Sequence, residues 1–141
     1  MALKLGIDCG GWCPQGRLDE LGRIPARYPV KELPGGSFAD RTRENVKDSD
    51  GTVIFYFKEL RGGTEFTLEC CRELKRPFCT IDAAASSVPE ANRQVRAFIG
   101  EHAMTSLNIA GPRESEWLAG HAFVFAVLES VLNVLIRTGA L

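Results

Sequence analysis

The sequence predicts an α/β fold, a three-layer α/β/α arrangement around a mostly parallel sheet. Apolar strand patterns alternate with helical patterns, which is typical of βαβ units. The strand at 52–57 is a nearly continuous apolar run, as expected of a parallel strand buried on both faces. Two glycine-marked turns, at 60–64 and 110–113, each leave such a strand and enter a helix. With 141 residues, the chain is expected to form one domain, residues 1–141.

The first third of the chain predicts one full helix among short or irregular segments. Residues 1–6 look like the last turn of a helix closed by glycine, and residues 7–12 like a short strand. Three prolines make 22–36 an irregular excursion. A helix follows at 38–47, with Ser37 as its predicted N-cap, because a serine hydroxyl can accept a hydrogen bond from a first-turn amide.

From residue 48 onward the predicted strands and helices alternate strictly. A turn at 48–51 leads into the central apolar strand. The segments predicted after that strand are a helix at 64–74, a strand at 77–81, a helix at 88–102, a strand at 104–109 and a helix at 114–137. Helical crossovers between successive strands imply parallel pairing.

The last helix raises the question of a membrane span, since residues 118–136 are rich in Phe, Val and Leu. It also contains His121, Glu129 and Asn133, which are costly at the centre of a bilayer. We therefore expect no membrane partner. Because apolar residues cover more than one face of this helix, whereas one stripe suffices against a sheet, we expect a homo-oligomer.

Composition argues for a cytoplasmic protein without a nucleic-acid partner. The net charge of -1 and the pI near 6.1 give no basic field. No apolar leader opens the chain, so we expect it to stay in the cytoplasm, with its five cysteines as reduced thiols. Cys9 and Cys13 have a C-x3-C spacing with no second pair, so we expect no metal site.

The two glycine-marked turns are the predicted ligand site. A helix that starts just after a strand leaves unpaired backbone N–H groups facing outward, and these bind anions. At the first turn, Gly62 and Gly63 let the backbone approach an anion, and Thr64 offers a cap or a hydroxyl. The second turn offers Asn108, Gly111, Pro112 as a first helical residue, Arg113 for phosphate, and the hydroxyl of Ser115. A plain strand-to-helix turn is the alternative in both places.

Weaker candidates lie outside these turns. Asp50, just before the buried strand, could hold a ribose hydroxyl or a cation, although Asp is also a common turn residue. Trp12, beside two glycines, could stack on a flat ligand ring or pack within the protein. Arg17, Arg27 and Arg41 could add positive charge, although each alone is more often a solvated arginine.

The chain resembles the putative molybdenum carrier family, small Rossmann-like proteins related in fold to the lysine-decarboxylase-like (LOG) group. The matching segments keep the family's order and are 10–17, 24–29, 41–46, 48–52, 60–64, 67–69 and 107–115. Family members begin with a strand and a Gly-Gly-x-Thr-Gly loop that do not precede Met1 here. We therefore expect the first strand to be missing, as in a gene model started at an internal methionine or a truncated paralogue. Losing a central strand would make the chain as written prone to aggregation.

The resemblance implies a cytosolic binding or carrier protein for a nucleotide or a phosphorylated cofactor such as the molybdenum cofactor. Enzymes of the LOG group are phosphoribohydrolases with a Gly-Gly-x-Gly-Thr-x-x-Glu motif. Here Thr67 replaces that glutamate, and Glu69 lies about half a helical turn away. A nucleoside-monophosphate phosphoribohydrolase using Glu69 or Glu114 is thus the weaker alternative. A remnant that binds no ligand and acts through protein contacts is the third.

Overall fold

A computed structural model describes residues 1–140 and shows alternating strands and helices after an irregular amino-terminal third. The irregular part contains two short pairings, one parallel and one antiparallel. The elements in chain order are α1 (Ala2–Leu5), β1 (Trp12–Cys13), β2 (Leu18–Asp19), β3 (Gly22–Arg23), β4 (Lys31–Glu32), α2 (Phe38–Lys47), β5 (Gly51–Tyr56), α3 (Gly62–Glu73), β6 (Phe78–Asp82), α4 (Val88–Glu101), β7 (Leu107–Ala110) and α5 (Gly120–Arg137).

The central sheet has three parallel strands in the order β6-β5-β7. Val53 of β5 lies opposite Cys79 on one side and Ile109 on the other. The first five residues of β5 are buried, as the continuous apolar run predicts for a central parallel strand. The predicted parallel sheet is therefore confirmed, and β5 is its middle strand.

Helices cover both faces of this sheet, which confirms the three-layer α/β/α arrangement. Val53 and Phe55 face one side, where they pack with residues of α4 and α5 such as Val95 and Val131. Ile54 faces the other side and packs with residues of α2 and α3. The alternation follows from the two-residue period of a strand.

Helix α2 has the predicted bounds and the predicted cap. The hydroxyl of Ser37 accepts a hydrogen bond from the amide of Asp40, and the Asp40 carboxylate accepts one from the amide of Ser37. The two residues thus form a capping box at the start of the helix. The hydrogen bonds from Ser37 lower the pKa of Asp40.

The amino-terminal prediction is confirmed at Gly6 and wrong for the following strand. Gly6 ends α1 with a left-handed φ of 67°, a conformation that favours glycine. The predicted strand at 7–12 is reduced to Trp12–Cys13, paired with β4 and separate from the central sheet. Gly11 has a φ of 138°, outside the range of a regular strand, so extended pairing cannot start earlier.

Arg17 is a structural residue and not a solvated arginine. Its guanidinium donates hydrogen bonds to the carbonyl oxygens of four residues in the proline-rich excursion. Those residues are Ile24, Pro25, Tyr28 and Val30, at 2.6 to 3.4 Å. One cation therefore fixes a segment that has little secondary structure of its own.

The largest correction concerns the start of the last helix. The sequence predicts a helix from residue 114, with Pro112 near its first position, but α5 begins at Gly120. Residues 113–117 form a separate turn in which the Glu116 carboxylate accepts a hydrogen bond from the amide of Arg113. The backbone makes a turn at this point and does not continue as a helix. Gly111 therefore does not lead directly into a helix.

Helix α5 packs on α4 and leaves much of its length half-exposed. Val127 and Val131 are buried in the core, and Glu129 forms an ion pair with Lys4 of α1 at 3.1 Å. Among the described residues, α5 alone has the length and hydropathy of a candidate membrane span. Its buried stripe is that of a core helix flanking a sheet.

The five cysteines are free thiols, and three of them are buried: Cys13, Cys70 and Cys71. Burial raises the pKa of Cys70, Cys71 and Cys79. Raised pKa values keep these groups as unreactive thiols at neutral pH.

Candidate functional site

The two predicted turns meet at the carboxyl ends of β5 and β7, which are neighbours in the sheet. Parallel α/β folds collect ligands at this edge. The N-cap of α3 is Arg61, whose side chain makes no capping hydrogen bond. The first helical bond comes from the amide of Glu65 to the Arg61 carbonyl. The amides of Gly62, Gly63 and Thr64 therefore have no partner within the helix.

The glycines at the start of α3 leave these amides uncovered. Gly62 has a φ of 57°, which favours glycine, and a Cβ on Gly63 would meet nothing within 4 Å. Thr64 does not cap the helix, contrary to one of the two predictions for it. Its side chain is buried, and it lines the cleft described next.

A narrow cleft lies between the β5–α3 loop and the loop after β7. The rings of Phe57 and Trp117 stack in its wall, with centroids 5.8 Å apart and planes 22° apart. The residues that line the cleft are Phe57, Glu59, Arg61, Thr64, Pro112, Glu116 and Trp117. The cleft therefore combines a helix start, one cation, two acids and an aromatic pair.

Glu116 belongs to the loop after β7, and its side chain reaches the start of α3. One oxygen of its carboxylate accepts the hydrogen bond from the Arg113 amide at 3.1 Å, and the other lies 3.8 Å from the position of a Cβ on Gly62. Glu116 thus brings a negative charge to the start of α3. The sequence indicated Glu69 and Glu114 as acids near a ligand, and no local pattern pointed to Glu116. Both Glu69 and Glu114 are exposed, and neither lines the cleft.

Two arginines lie near each other on the α2 side of this edge. The guanidinium carbon of Arg113 is 5.7 Å from the ring centre of Phe38, and Arg41 is three residues beyond Phe38 on the same helix. Arg41 is partly buried, and its Nε is a buried donor without a partner among the described residues. Burial and the nearby positive charge of Arg113 lower the pKa of Arg41.

Neither guanidinium forms an ion pair with any residue between 1 and 140. From the sequence, Arg41 is most simply a solvated charge, and the structure corrects this interpretation. One feature of the sequence indicated that Arg41 lies near the candidate site, namely its place in the first half of α2. Helix α2 precedes β5 and runs antiparallel to it, so the helix begins at the carboxyl edge of the sheet.

Ser115 holds a carboxylate from a distant part of the chain. Its hydroxyl donates to one oxygen of Glu20 at 2.6 Å, and its amide donates to the other at 3.3 Å. These bonds, with the Glu114 amide and the charge of Arg113, lower the pKa of Glu20. The loop from Gly111 to Trp117 therefore binds an oxyanion, although not at a helix start.

Asp50 and Trp12 lie away from this edge. The Asp50 carboxylate accepts hydrogen bonds from Thr105 and Ser106, at the amino ends of β5 and β7. Trp12 donates its indole N–H to Asp48, beside the carboxyl end of α2. Both are thus placed at the opposite end of the sheet from Gly62.

Asn108 is also separate from the start of α3. It pairs in register with Thr52, and its amide donates to the Thr52 hydroxyl at 3.3 Å. Of the predicted residues, Thr64 and Pro112 line the cleft, and Gly62 and Gly63 lie at the same helix start. Gly111, Arg113 and Ser115 lie on the loop after β7, with the Arg113 guanidinium against Phe38. Within residues 1–140, no three metal-ligating side chains form a cluster.

The comparisons with known proteins agree with this architecture. Residues 1–132 match the family described as the circularly permutated YpsA SLOG family, cpYpsA. A crystal structure described as a putative molybdenum carrier protein from Syntrophus aciditrophicus SB superposes with a TM-score of 0.91. The two chains are 37% identical, and the alignment covers 93% of this chain and 83% of that one. No curated protein matches the chain. With most of its length matched, the chain belongs to the circularly permutated YpsA SLOG family.

Proposed function

We propose that the protein binds a nucleotide or a phosphorylated cofactor in the cleft at the carboxyl ends of β5 and β7. The observation that carries this proposal is the uncovered start of α3 beside a stacked aromatic pair. Unpartnered amides suit a phosphate, and an aromatic face suits a flat heterocyclic ring. A phosphate and a flat ring are the two parts that nucleotides and pterin cofactors share.

The phosphate is expected at the amides of Gly62, Gly63 and Thr64. The positive end of the α3 dipole favours negative charge there. Arg61, whose side chain is exposed, lies at the same helix start and adds a charge. Glu116 opposes this attraction, so a bound anion would interact best after the Glu116 carboxylate turns away.

The ring is expected against Phe57. Phe57 is 43% exposed although it stacks on Trp117, and the ammonium of Lys58 lies 5.4 Å from its ring centre. A base or pterin could add to this stack. The molybdenum cofactor is one candidate of this class, and the description of the Syntrophus aciditrophicus protein supports including it. The free thiols support a cytoplasmic location.

Calorimetric titration tests the proposal. The protein is titrated with AMP, with the pterin cofactor and with molybdate, while circular dichroism verifies the fold. Saturable binding of a nucleotide or the cofactor is expected. No heat with any of the three, from a folded protein, would contradict the proposal and favour a protein that acts only through protein contacts.

A matched pair of glycine variants locates the site. A Cβ added to Gly63 or to Gly100 would have no neighbour within 4 Å, and neither glycine has a positive φ. Gly63→Val covers the α3 amides, whereas Gly100→Val changes a distant part of α4. Gly63→Val should weaken binding by about tenfold or more, because a hydrogen bond to a charged group contributes about 1.5–3 kcal/mol. Gly100→Val should bind like the wild type.

A second candidate function is a phosphoribohydrolase, favoured by the position of Glu116 beside Gly62. A carboxylate at this place is within reach of a ribose whose phosphate sits on α3. Release of adenine from AMP, followed by chromatography, tests this reaction. Activity that is lost in Glu116→Gln and retained in the exposed control Glu114→Gln would replace the carrier function with the enzymatic one.

A further inference from the structure

We propose that Arg41, Arg113 and Ser115 form a second oxyanion subsite, which the carboxylate of Glu20 occupies until an acidic group of the ligand displaces it. This inference rests on the proposed function, because it assigns the ligand two acidic groups. The first phosphate binds at the start of α3, and the second binds on the loop after β7. The ligand class is therefore a nucleotide or cofactor with a diphosphate.

Glu20 is bound in the way that a phosphate would be. Two of its oxygens accept hydrogen bonds from the hydroxyl and the amide of Ser115, at 2.6 and 3.3 Å. Charged oxygens that accept from a hydroxyl and a backbone amide, with a guanidinium nearby, are also the usual arrangement around a phosphate. The carboxylate thus shows that this loop recognises an oxyanion.

The carboxylate of Glu20 supplies one negative charge, whereas Arg41 and Arg113 supply two positive charges. The two guanidinium groups have no ion-pair partner within the described residues, and the Nε of Arg41, which lies near Arg113, is buried without a hydrogen bond. A buried donor without a partner is costly, and a guanidinium has a planar fork that matches a phosphate. A phosphate group would supply both the charge and the acceptors.

The segment that carries Glu20 can leave without disturbing the core. Glu20 lies in the turn of the β2–β3 hairpin, whose four paired residues are exposed. The next residue, Leu21, is 82% exposed. Displacing the carboxylate therefore breaks the bonds to Ser115 and exposes little apolar surface.

Calorimetry with ADP and AMP tests the inference, using the wild type, Glu20→Gln and the control Glu32→Gln. Glu32 is an exposed acid on β4, and none of its hydrogen bonds joins it to this loop. Glu20→Gln should bind ADP about tenfold more tightly, the change expected if the wild-type subsite is free about one tenth of the time. Glu32→Gln should match the wild type, and AMP affinity should change little.

Arg41→Gln gives an independent test, since it removes a guanidinium of the subsite and should weaken ADP more than AMP. Wild-type binding of ADP that Glu20→Gln leaves unchanged would overturn the inference and leave the proposed function intact. Equal effects on ADP and AMP would also overturn it. A folded wild type and a folded Glu20→Gln that both bind neither nucleotide would instead contradict the proposed function.

Discussion

At the scale of single residues, Asp50 shows how one carboxylate joins two strands. It accepts hydrogen bonds from the amide and hydroxyl of Thr105 and from the amide of Ser106, all at 2.9 Å. These bonds lower its pKa to about 2. The three donors belong to residues that precede β7, which pairs with β5 from Leu107 onward. The predicted strand, which begins at residue 104, is therefore wrong at its start. An aspartate before a buried strand is here a structural residue.

Asp50→Asn should lose stability at neutral pH and lose less of it in acid. The folded-state pKa is below the ordinary value, so the carboxylate stabilises the fold above about pH 4. This contribution disappears as the pH falls toward 2. Melting temperatures between pH 7 and pH 3 should show the wild type and Asp50→Asn converging in acid. The exposed control Asp8→Asn should follow the wild type throughout, and a constant gap for Asp50→Asn would contradict the assignment.

Ser37 supports a prediction about the capping box of α2. Ser37→Ala removes the acceptor for the Asp40 amide at 3.2 Å and should lower the free energy of unfolding by about 1 kcal/mol. Urea unfolding measures this difference. Ser86→Ala is the control, since the Ser86 hydroxyl makes only a 3.5 Å contact with Gln94. Equal losses in both variants would show that the cap does not contribute.

The role of a single residue could be predicted from the sequence where that role depends only on residues adjacent in the chain. Ser37 and Gly6 were predictable because a cap and a left-handed turn depend on a few adjacent residues. Glu116 was not, since its position beside Gly62 depends on a loop distant in the chain. The partner of Ser115 is 95 residues away, which no local pattern indicates.

At the scale of elements, β5 organises the domain, because it pairs on both sides and packs on both faces. Its apolar run was sufficient to predict a central parallel strand. The start of α5 was not predictable in the same way. Its apolar pattern extends into residues 117 and 118, but Glu116 caps a separate turn first, and the side chain of Trp117 lies against Gly120. A helix boundary that depends on tertiary contacts cannot be predicted from the hydrophobic periodicity of the sequence.

A matched pair of isoleucines tests the role of β5. Ile54 is fully buried in β5, whereas Ile109 of β7 is 37% exposed. Ile54→Val should lower the free energy of unfolding by about 1 kcal/mol, and Ile109→Val by less than about 0.5 kcal/mol. Denaturant unfolding of both variants measures the difference. If the two losses are equal, burial of β5 is not what stabilises the sheet.

At the scale of the whole molecule, we propose that α5 mediates a homodimer. Only three of its 18 residues are buried within one chain, Gly120, Val127 and Val131, although most of the helix is apolar. Light scattering at micromolar concentration should give about twice the 15.5 kDa of one chain. Ile136→Glu, on an exposed position of α5, should shift the mass toward the monomer, and Leu21→Glu should not. A monomeric wild type would contradict this proposal.

The function proposed for the whole molecule depends on ligand binding at the carboxyl edge of the sheet. Amide chemical shifts of the isotope-labelled protein, recorded as ADP is added, test this claim most directly. The largest saturable shifts are expected at Gly62, Gly63 and Thr64, with further shifts at Ser115 as Glu20 is displaced. Gly6 and Gly139, which follow the ends of α1 and α5, should not move. Absence of shifts, or shifts centred on Asp50 and Trp12, would contradict a phosphate site at the start of α3.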